Sequence, residues 1–561
     1  MHFDLIIRNG TLVDGTGKPG FAGDIGVRDG RIATTGVLES GATARESVDA
    51  TGRVVCPGFV DPHTHYDAQI SWDPLLSSST EHGVTTVMLG NCGVGVAPCR
   101  PADRDLMVQD LVNVESMAEE VLKAGVKWNW ESFPEYMDAV ARQGSGPNCA
   151  FLAPLAPLRT YVAGEAASDR ASTPDETATA ARLLRDAMEA GAYGFSSTAI
   201  PSHIGHHGKP LSARLASDDE LKVYCGVLRD MKRGAIELAL TKRFNQIADD
   251  EIARLDMLLD ASQRPITWLS LHNLAERPDG VAEVLSRAAG VIRRGALPQI
   301  LTRPLISEMT LRRPFQFGEL ACAKVVFDRT ADEQIAIYAD PAFRRAFFDE
   351  LKLGRKFTNQ ARSMTVYKVG NPALAGLAGR TIGDIAAERG CSPEDMLFDL
   401  AVEDRVGTQF LIPRANTNQE RIPELLRESG RTLIGLSDGG AHVDMFCEAG
   451  YTTWLLGHWV REKRAMTLEH AIQRITSEPA DFFGIRDRGR LAVGHAADIV
   501  VFDPARIGSP ARGTMVNDLP AGGGRLYAKA EGIDAVYVNG KALFGKGAHT
   551  GALPGTVLRA A

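Results

Sequence analysis

Two β-rich ends enclose a long stretch in which strand and helix alternate, and this layout restricts the fold more than any single motif does. At the amino end, Leu5-Ile6-Ile7 and Thr11-Leu12-Val13 flank Asn9-Gly10, and Ile25-Gly26-Val27 and Arg31-Ile32-Ala33 flank Asp29-Gly30. Both dipeptides are two-residue hairpin signals. At the carboxyl end residues 497–502 read as a strand, and Val536-Tyr537-Val538 and Lys541-Ala542-Leu543 flank Asn539-Gly540. Neither end has enough strands to cover a sheet face alone, so residues 1–55 and 487–561 are expected to build one small β-sandwich together. Between them, Ser132-Phe133-Pro134-Glu135 opens a helix closing near Gly144, Thr173-Pro174-Asp175-Glu176 opens one closing at Gly191, and Ser217-Asp218-Asp219-Glu220 opens one ending at Gly234. Apolar, strand-like runs occupy 192–198, 235–240 and 265–271. The alternation across 56–486 predicts an α/β domain, which we read as a (β/α)8 TIM-like barrel; a doubly wound sheet would show the same periodicity.

The 561 residues exceed what one core usually organises, so at least two structural units are expected. Lys and Arg number 62 against 70 Asp and Glu, with no basic tract of the kind that marks a nucleic-acid or lipid-headgroup surface. No apolar run is long enough to span a bilayer, and the first residues lack the pattern of a secretory leader. A small-molecule partner is therefore expected, with no nucleic acid and no membrane; assembly into a homo-oligomer stays open. Eight cysteines are scattered without a paired framework, which suggests free thiols and a cytoplasmic location. Neither a dinucleotide-binding nor a phosphate-binding glycine loop is present in a strand-turn-helix setting, so no cofactor other than metal is indicated.

Three strand ends carry chemistry. In the stretch from Val54 to Asp67, His63 and His65 stand two apart after an apolar run, so both imidazoles can face one point, and Asp61 is placed to orient a ligating ring. Two histidines at a strand end are also compatible with a plain surface. Cys92 follows the run Thr85-Thr86-Val87-Met88-Leu89 between glycines, where its sulfur could approach a metal or lie buried and inert. Asp438 follows Leu433-Ile434-Gly435-Leu436-Ser437 and precedes Gly439-Gly440, a place with room for substrate or simply a turn.

Pro57-Gly58-Phe59-Val60-Asp61-Pro62-His63-Thr64-His65 resembles the signature of the metal-dependent amidohydrolases. Gly90-Asn91-Cys92-Gly93, Trp130 to Tyr136, Gly194-Phe195-Ser196, Ser437 to His442 and Thr476 to Ala480 are similar to the D-aminoacylase branch, the N-acyl-D-amino-acid deacylases, so the likeness covers nearly the whole chain. The resemblance implies zinc, one ion or two, held by His63, His65 and Cys92 with Asp438. It also implies two more ligand histidines after the fifth and sixth strands. At the first of these places the chain reads Ile236-Glu237-Leu238-Ala239-Leu240-Thr241-Lys242-Arg243, without histidine; at the second, His272 is offered but shifted. His203, His206 and His207 could substitute, or could be ordinary loop residues. Ala153 to Arg159 lacks the histidine that relatives tend to carry before Leu-Arg, so any role of that residue does not transfer.

These groups suit metal-assisted hydrolysis of an amide, with Asp438 accepting a proton from water and delivering it to the departing nitrogen. The substrate expected is an N-acyl amino acid, of D configuration. A cyclic imide or peptide-like amide is the first alternative, and a non-catalytic ligand-binding barrel the second. Arg303, which follows 298–302 and precedes Pro304, is the candidate to grip a substrate carboxylate; pairing with a carboxylate such as Glu308 is its structural alternative. His442, His206 and His207 complete the candidates for the substrate pocket.

Overall fold

The computed structural model describes residues 2–561 except 40, 244, 275–276, 313, 315–316, 318–319, 328 and 353–360. The strand Val54–Pro57 joins the two ends of the chain. It pairs parallel with His2–Leu12 (Thr11 opposite Val54) and antiparallel with Ile499–Phe502 (Ile499 opposite Pro57). Strands from both ends thereby form one nine-stranded sheet. Leu5, Ile7, Ile25, Val55, Ile499 and Val501 are buried together beneath it, as alternation along each strand requires.

Asp29-Gly30 and Asn539-Gly540 do make two-residue turns, pairing Arg28 with Arg31 and Val538 with Lys541. Asn9-Gly10 does not. It lies within the continuous strand His2–Leu12, where the register against Phe21–Arg28 shifts between Ile7 and Gly10 and Asn9 takes a left-handed φ of 61°. The same tolerance that suits Asn to a hairpin serves a β-bulge here.

In the middle of the chain, Phe59–Asp61, Val84–Leu89 and Asn148–Phe151 pair in parallel. Ala153–Pro154, Gly194–Thr198, Ala235–Ala239, Ile266–Leu271, Ala296–Ile300 and Leu433–Ile434 form a second all-parallel set in that order. Tyr193 N donates to Phe151 O at 2.7 Å, and His65 N to Gly439 O at 2.7 Å, linking the sets at both sides. Helices cover these strands. Phe133–Gln143 and Pro174–Glu189 start with full capping boxes on Ser132 and Thr173, and Asp218–Met231 starts on Ser217, the serine and threonine side chains satisfying otherwise orphaned amide N–H groups.

The chain divides into two compact units: Met1–Arg303 with Asn418–Ala561, and Pro304–Thr417. The alternation of strand and helix over 56–486 did not set the second apart. It has its own antiparallel sheet, Leu305–Thr310, Gln409–Ala415 and Thr365–Lys368, and its own core, in which Phe317, Tyr338, Phe343, Phe347 and Phe398 pack mostly edge to face. Among the described residues no helix is long and apolar enough to cross a membrane.

Candidate metal centre

His63, His65 and Cys92 are buried, and their donor atoms lie within 4.8 Å of one another. His63 Nε2 is 3.3 Å from His65 Nε2 and 3.6 Å from Cys92 Sγ. Asp438 Oδ1 joins them, 3.3 Å from His63 Nε2 and 3.9 Å from His65 Nε2. The local fold explains the convergence. His63 and His65 follow Phe59–Asp61, and Asn91 Nδ2 donates to Thr64 O (3.1 Å) and Met88 O (2.9 Å), tying the His-x-His segment to the strand that delivers Cys92. Gly90 is required beside it: with φ of 82°, a Cβ there would sit 2.0 Å from Leu152 O.

Cys92, Asp438 and His442 all hold left-handed backbone, with φ of 55°, 45° and 48°. That conformation costs a residue with a Cβ about 1–2 kcal/mol, and local hydrogen bonds hold it. Glu237 Oε2 accepts from Cys92 N at 2.6 Å, Ala441 N donates to Asp438 O at 2.8 Å, and His442 N donates to Glu115 O at 2.7 Å. The two glycines after Asp438 have a packing role. A Cβ on Gly439 would meet the Tyr66 hydroxyl at 2.5 Å and one on Gly440 would meet His65 O at 2.6 Å, so they let the loop lie against the His-x-His segment.

Burial keeps both imidazoles neutral, lowering His63 to about 3 and His65 well below its ordinary value. It raises Asp438 to about 7, although 36% of that side chain reaches solvent. Burial, then the neighbouring carboxylates Glu237, Glu115 and Asp438, push the Cys92 thiol up. Among the described residues the ion-pair partners of Asp438, Glu115 and Glu237 are histidines only. Three carboxylates and a thiol thus surround two neutral rings; burial raises Glu115 and Glu237 as well, and a bound cation would favour the ionised form of all four acids.

The separations from His63 match those of a tetrahedral zinc ion, while Asp438 stands farther off, 3.9 Å from His65 and outside the His63–His65–Cys92 group. With bonds of about 2.0–2.1 Å to nitrogen or oxygen and about 2.3 Å to sulfur, two light donors on such an ion stand about 3.3 Å apart, and nitrogen and sulfur about 3.6 Å. Those are the separations of His63 from His65, Asp438 and Cys92.

The remaining candidates are placed differently. His272 is buried after Ile266–Leu271, but its Nε2 is 2.8 Å from Ser270 Oγ and it is not a member of the His63–His65–Cys92 group. His206 is buried against Asp110, Nδ1 to Oδ1 3.0 Å, while His207 is exposed. His442 does border the site, with Nε2 4.0 Å from Glu115 Oε2. Arg303 is not available to grip a carboxylate as expected. It is buried, donating to Ser509 Oγ (2.8 Å), Pro510 O (3.0 Å) and Ala511 O (3.1 Å), with Nε 3.2 Å from Glu448 and the guanidinium over Trp454. Nor does Asp61 orient an imidazole: its Oδ1 accepts the backbone N–H of His63 at 3.3 Å. Glu115 and Glu237, which do face the rings, were not singled out in the sequence. The one signal was a charged residue interrupting the apolar run at Glu237.

A profile of the amidohydrolase family matches residues 46–544. An uncharacterized protein of Mycobacterium tuberculosis is 31% identical over 93% of this chain and 88% of its own. D-aminoacylase of Alcaligenes xylosoxydans xylosoxydans is 29% identical over 99% of this chain and 97% of its own. Among solved structures, N-acyl-D-glutamate deacylase from Bordetella bronchiseptica, complexed with zinc and a phosphonate inhibitor, superimposes with a TM-score of 0.67 at 26% identity, covering 100% of both chains.

Proposed function

Because the chain belongs to the amidohydrolase family, we propose that it is a zinc-dependent hydrolase that removes the acyl group from an N-acyl amino acid of D configuration. The observation that carries this reading is the meeting of two neutral imidazoles and a buried thiol within metal-binding distance of one another, with the Asp438 carboxylate 3.3 Å from His63. The named activities of the deacylase relatives supply the substrate class. We read the parallel strands as one closed (β/α)8 barrel: Phe59–Asp61, Val84–Leu89, Asn148–Phe151 continued by Ala153–Pro154, then the five from Gly194–Thr198 to Leu433–Ile434. The bridge between Thr64 and Gly439 joins its first and last staves. His63, Cys92 and Asp438 then all lie beyond carboxyl ends of strands, the face on which such barrels carry their chemistry.

His63, His65, Cys92 and Asp438 would hold the ion, for which a thiolate with imidazoles favours zinc. When bound, zinc makes water acidic enough to attack near neutral pH and polarises the scissile carbonyl. Asp438, the one donor partly open to solvent, accepts the proton of the attacking water as its oxygen bonds to the carbonyl carbon. It returns that proton to the nitrogen as the C–N bond breaks, so a free amino acid and a carboxylate leave. Residues behind the donors keep the site dry and oriented.

Metal analysis of the purified protein, combined with rates on paired N-acyl D- and L-amino acids, tests the proposal. One equivalent of zinc and faster release from the D series are expected. Protein that takes up no divalent metal, or that hydrolyses cyclic imides while leaving both N-acyl series intact, would overturn it.

A further inference from the structure

We propose that Glu237 and Glu115 are positioning residues for the metal site, each accepting the Nδ1–H of one ligating imidazole and so presenting the Nε2 lone pair inward. This rests on the zinc reading above. The two rings turn the same nitrogen inward: their Nε2 atoms face each other at 3.3 Å, and Asp438 approaches on that side. Their Nδ1 atoms face outward toward buried carboxylates, His63 Nδ1 toward Glu237 Oε1 at 4.0 Å and His65 Nδ1 toward Glu115 Oε1 at 3.4 Å. Glu237 is fully buried in the strand Ala235–Ala239, and Glu115 ends the helix Arg104–Glu115, so two unrelated elements supply the same group behind successive histidines.

Glu237 Oε1 and His63 Nδ1 make no hydrogen bond of ordinary geometry among the described residues, and Gln299 is the other polar side chain beside the His63 ring. An unsatisfied acceptor thus faces an unsatisfied donor, and an approach of about 1 Å brings them to bonding distance. An orphaned buried polar group costs about 1–3 kcal/mol, so the pairing has a driving force. A neutral imidazole carries its proton on one nitrogen only, and a carboxylate behind Nδ1 selects the tautomer in which Nε2 can ligate. Glu237 acts on a second donor as well. Its other oxygen accepts the N–H of Cys92 at 2.6 Å and holds that residue in the left-handed conformation that aims the sulfur at His63. A single carboxylate therefore orients two of the four donors, on the strand where the chain lacks the histidine that the resemblance led us to expect.

The test uses the full chain and zinc alone. E237Q and E115Q keep side-chain shape, but in E237Q the one amide oxygen cannot serve both Cys92 N–H and His63 Nδ1–H as two carboxylate oxygens do. Chelator competition should show zinc affinity falling about ten- to a hundredfold in each variant, the usual cost of removing a partner behind a ligand. The thermal stability of the zinc-free proteins should fall by no more than one orphaned buried group accounts for. In zinc-free protein with nitrogen-15 histidine, His63 and His65 should be protonated at Nδ1 in wild type, and the tautomer should become mixed at His63 in E237Q and at His65 in E115Q. A packing role alone would lower the melting temperature without moving the tautomers. If E237Q fails to fold, E115Q decides by the same readouts. Wild-type zinc affinity in the variants overturns this proposal alone; a wild-type protein that binds no zinc overturns it together with the function on which it rests.

Discussion

Arg303 and Asp438 both follow parallel strands of the same compact unit, yet the chain treats their charges in opposite ways. Arg303 lies among acceptors drawn from its own fold, with the 509–511 segment and Glu448 around its guanidinium. Burial raises Glu448 to about 7 while the cation beside it pulls the other way. Near Asp438 no protein cation answers the carboxylates among the described residues, and the atoms that face one another are donors to a metal. Buried polarity that is internally satisfied holds a structure together. Polarity left open, at cation-like spacing, is reserved for a ligand.

The sharpest way to break this contrast is to disarm the open site. Asp438→Asn keeps the shape but removes the proton acceptor, so turnover of an N-acyl amino acid should fall by about a hundred- to ten-thousandfold with the melting temperature little changed. A variant that keeps most of its turnover would remove Asp438 from the proton-transfer role.

At the satisfied site the expected loss is of stability. Arg303→Met leaves Glu448 buried without its partner and should destabilise the protein by about 3–5 kcal/mol, read as a lower denaturant midpoint. Rates on N-acyl amino acids and on their matching amides should change in equal proportion. Selective loss on the acids would restore Arg303 to substrate recognition.

A smaller effect sharpens the comparison through His82, buried near Arg303, with Nδ1 2.7 Å from Thr453 Oγ1 and Nε2 2.8 Å from Ala528 O. Burial, helped by Arg303, lowers it to about 4. Its folded value lies below the unfolded one near 6.5, so the unfolded chain takes up the proton first on acidification. The contribution is complete above pH 6.5 and is lost as pH falls toward 4, about 3 kcal/mol in all. Denaturation midpoints of wild type and His82→Gln across that window should converge. Parallel curves would show that His82 does not titrate there.

Local pattern already contained much of this molecule. Period-two spacing puts His63 and His65 on one side of a strand end, capping residues open the helices at Phe133, Pro174 and Asp218, and Asp29-Gly30 and Asn539-Gly540 turn the chain tightly. Each of these depends on a few neighbouring residues, whose backbone geometry is set by sterics and short-range hydrogen bonds. Asn9-Gly10 shows the limit, since an Asn-Gly pair serves a hairpin or a bulge, and here the strand runs on through it beside Phe21–Arg28 and Val54–Pro57. Pairings across long stretches of chain were out of reach of such patterns. Arg303 meets Glu448, while Glu115 and Glu237 arrive behind histidines far away in sequence, and 304–417 closes on its own core. Residue spacing carries no record of which distant surfaces meet, because that choice is made by packing the whole chain at once, and the partner of a buried charge is decided there.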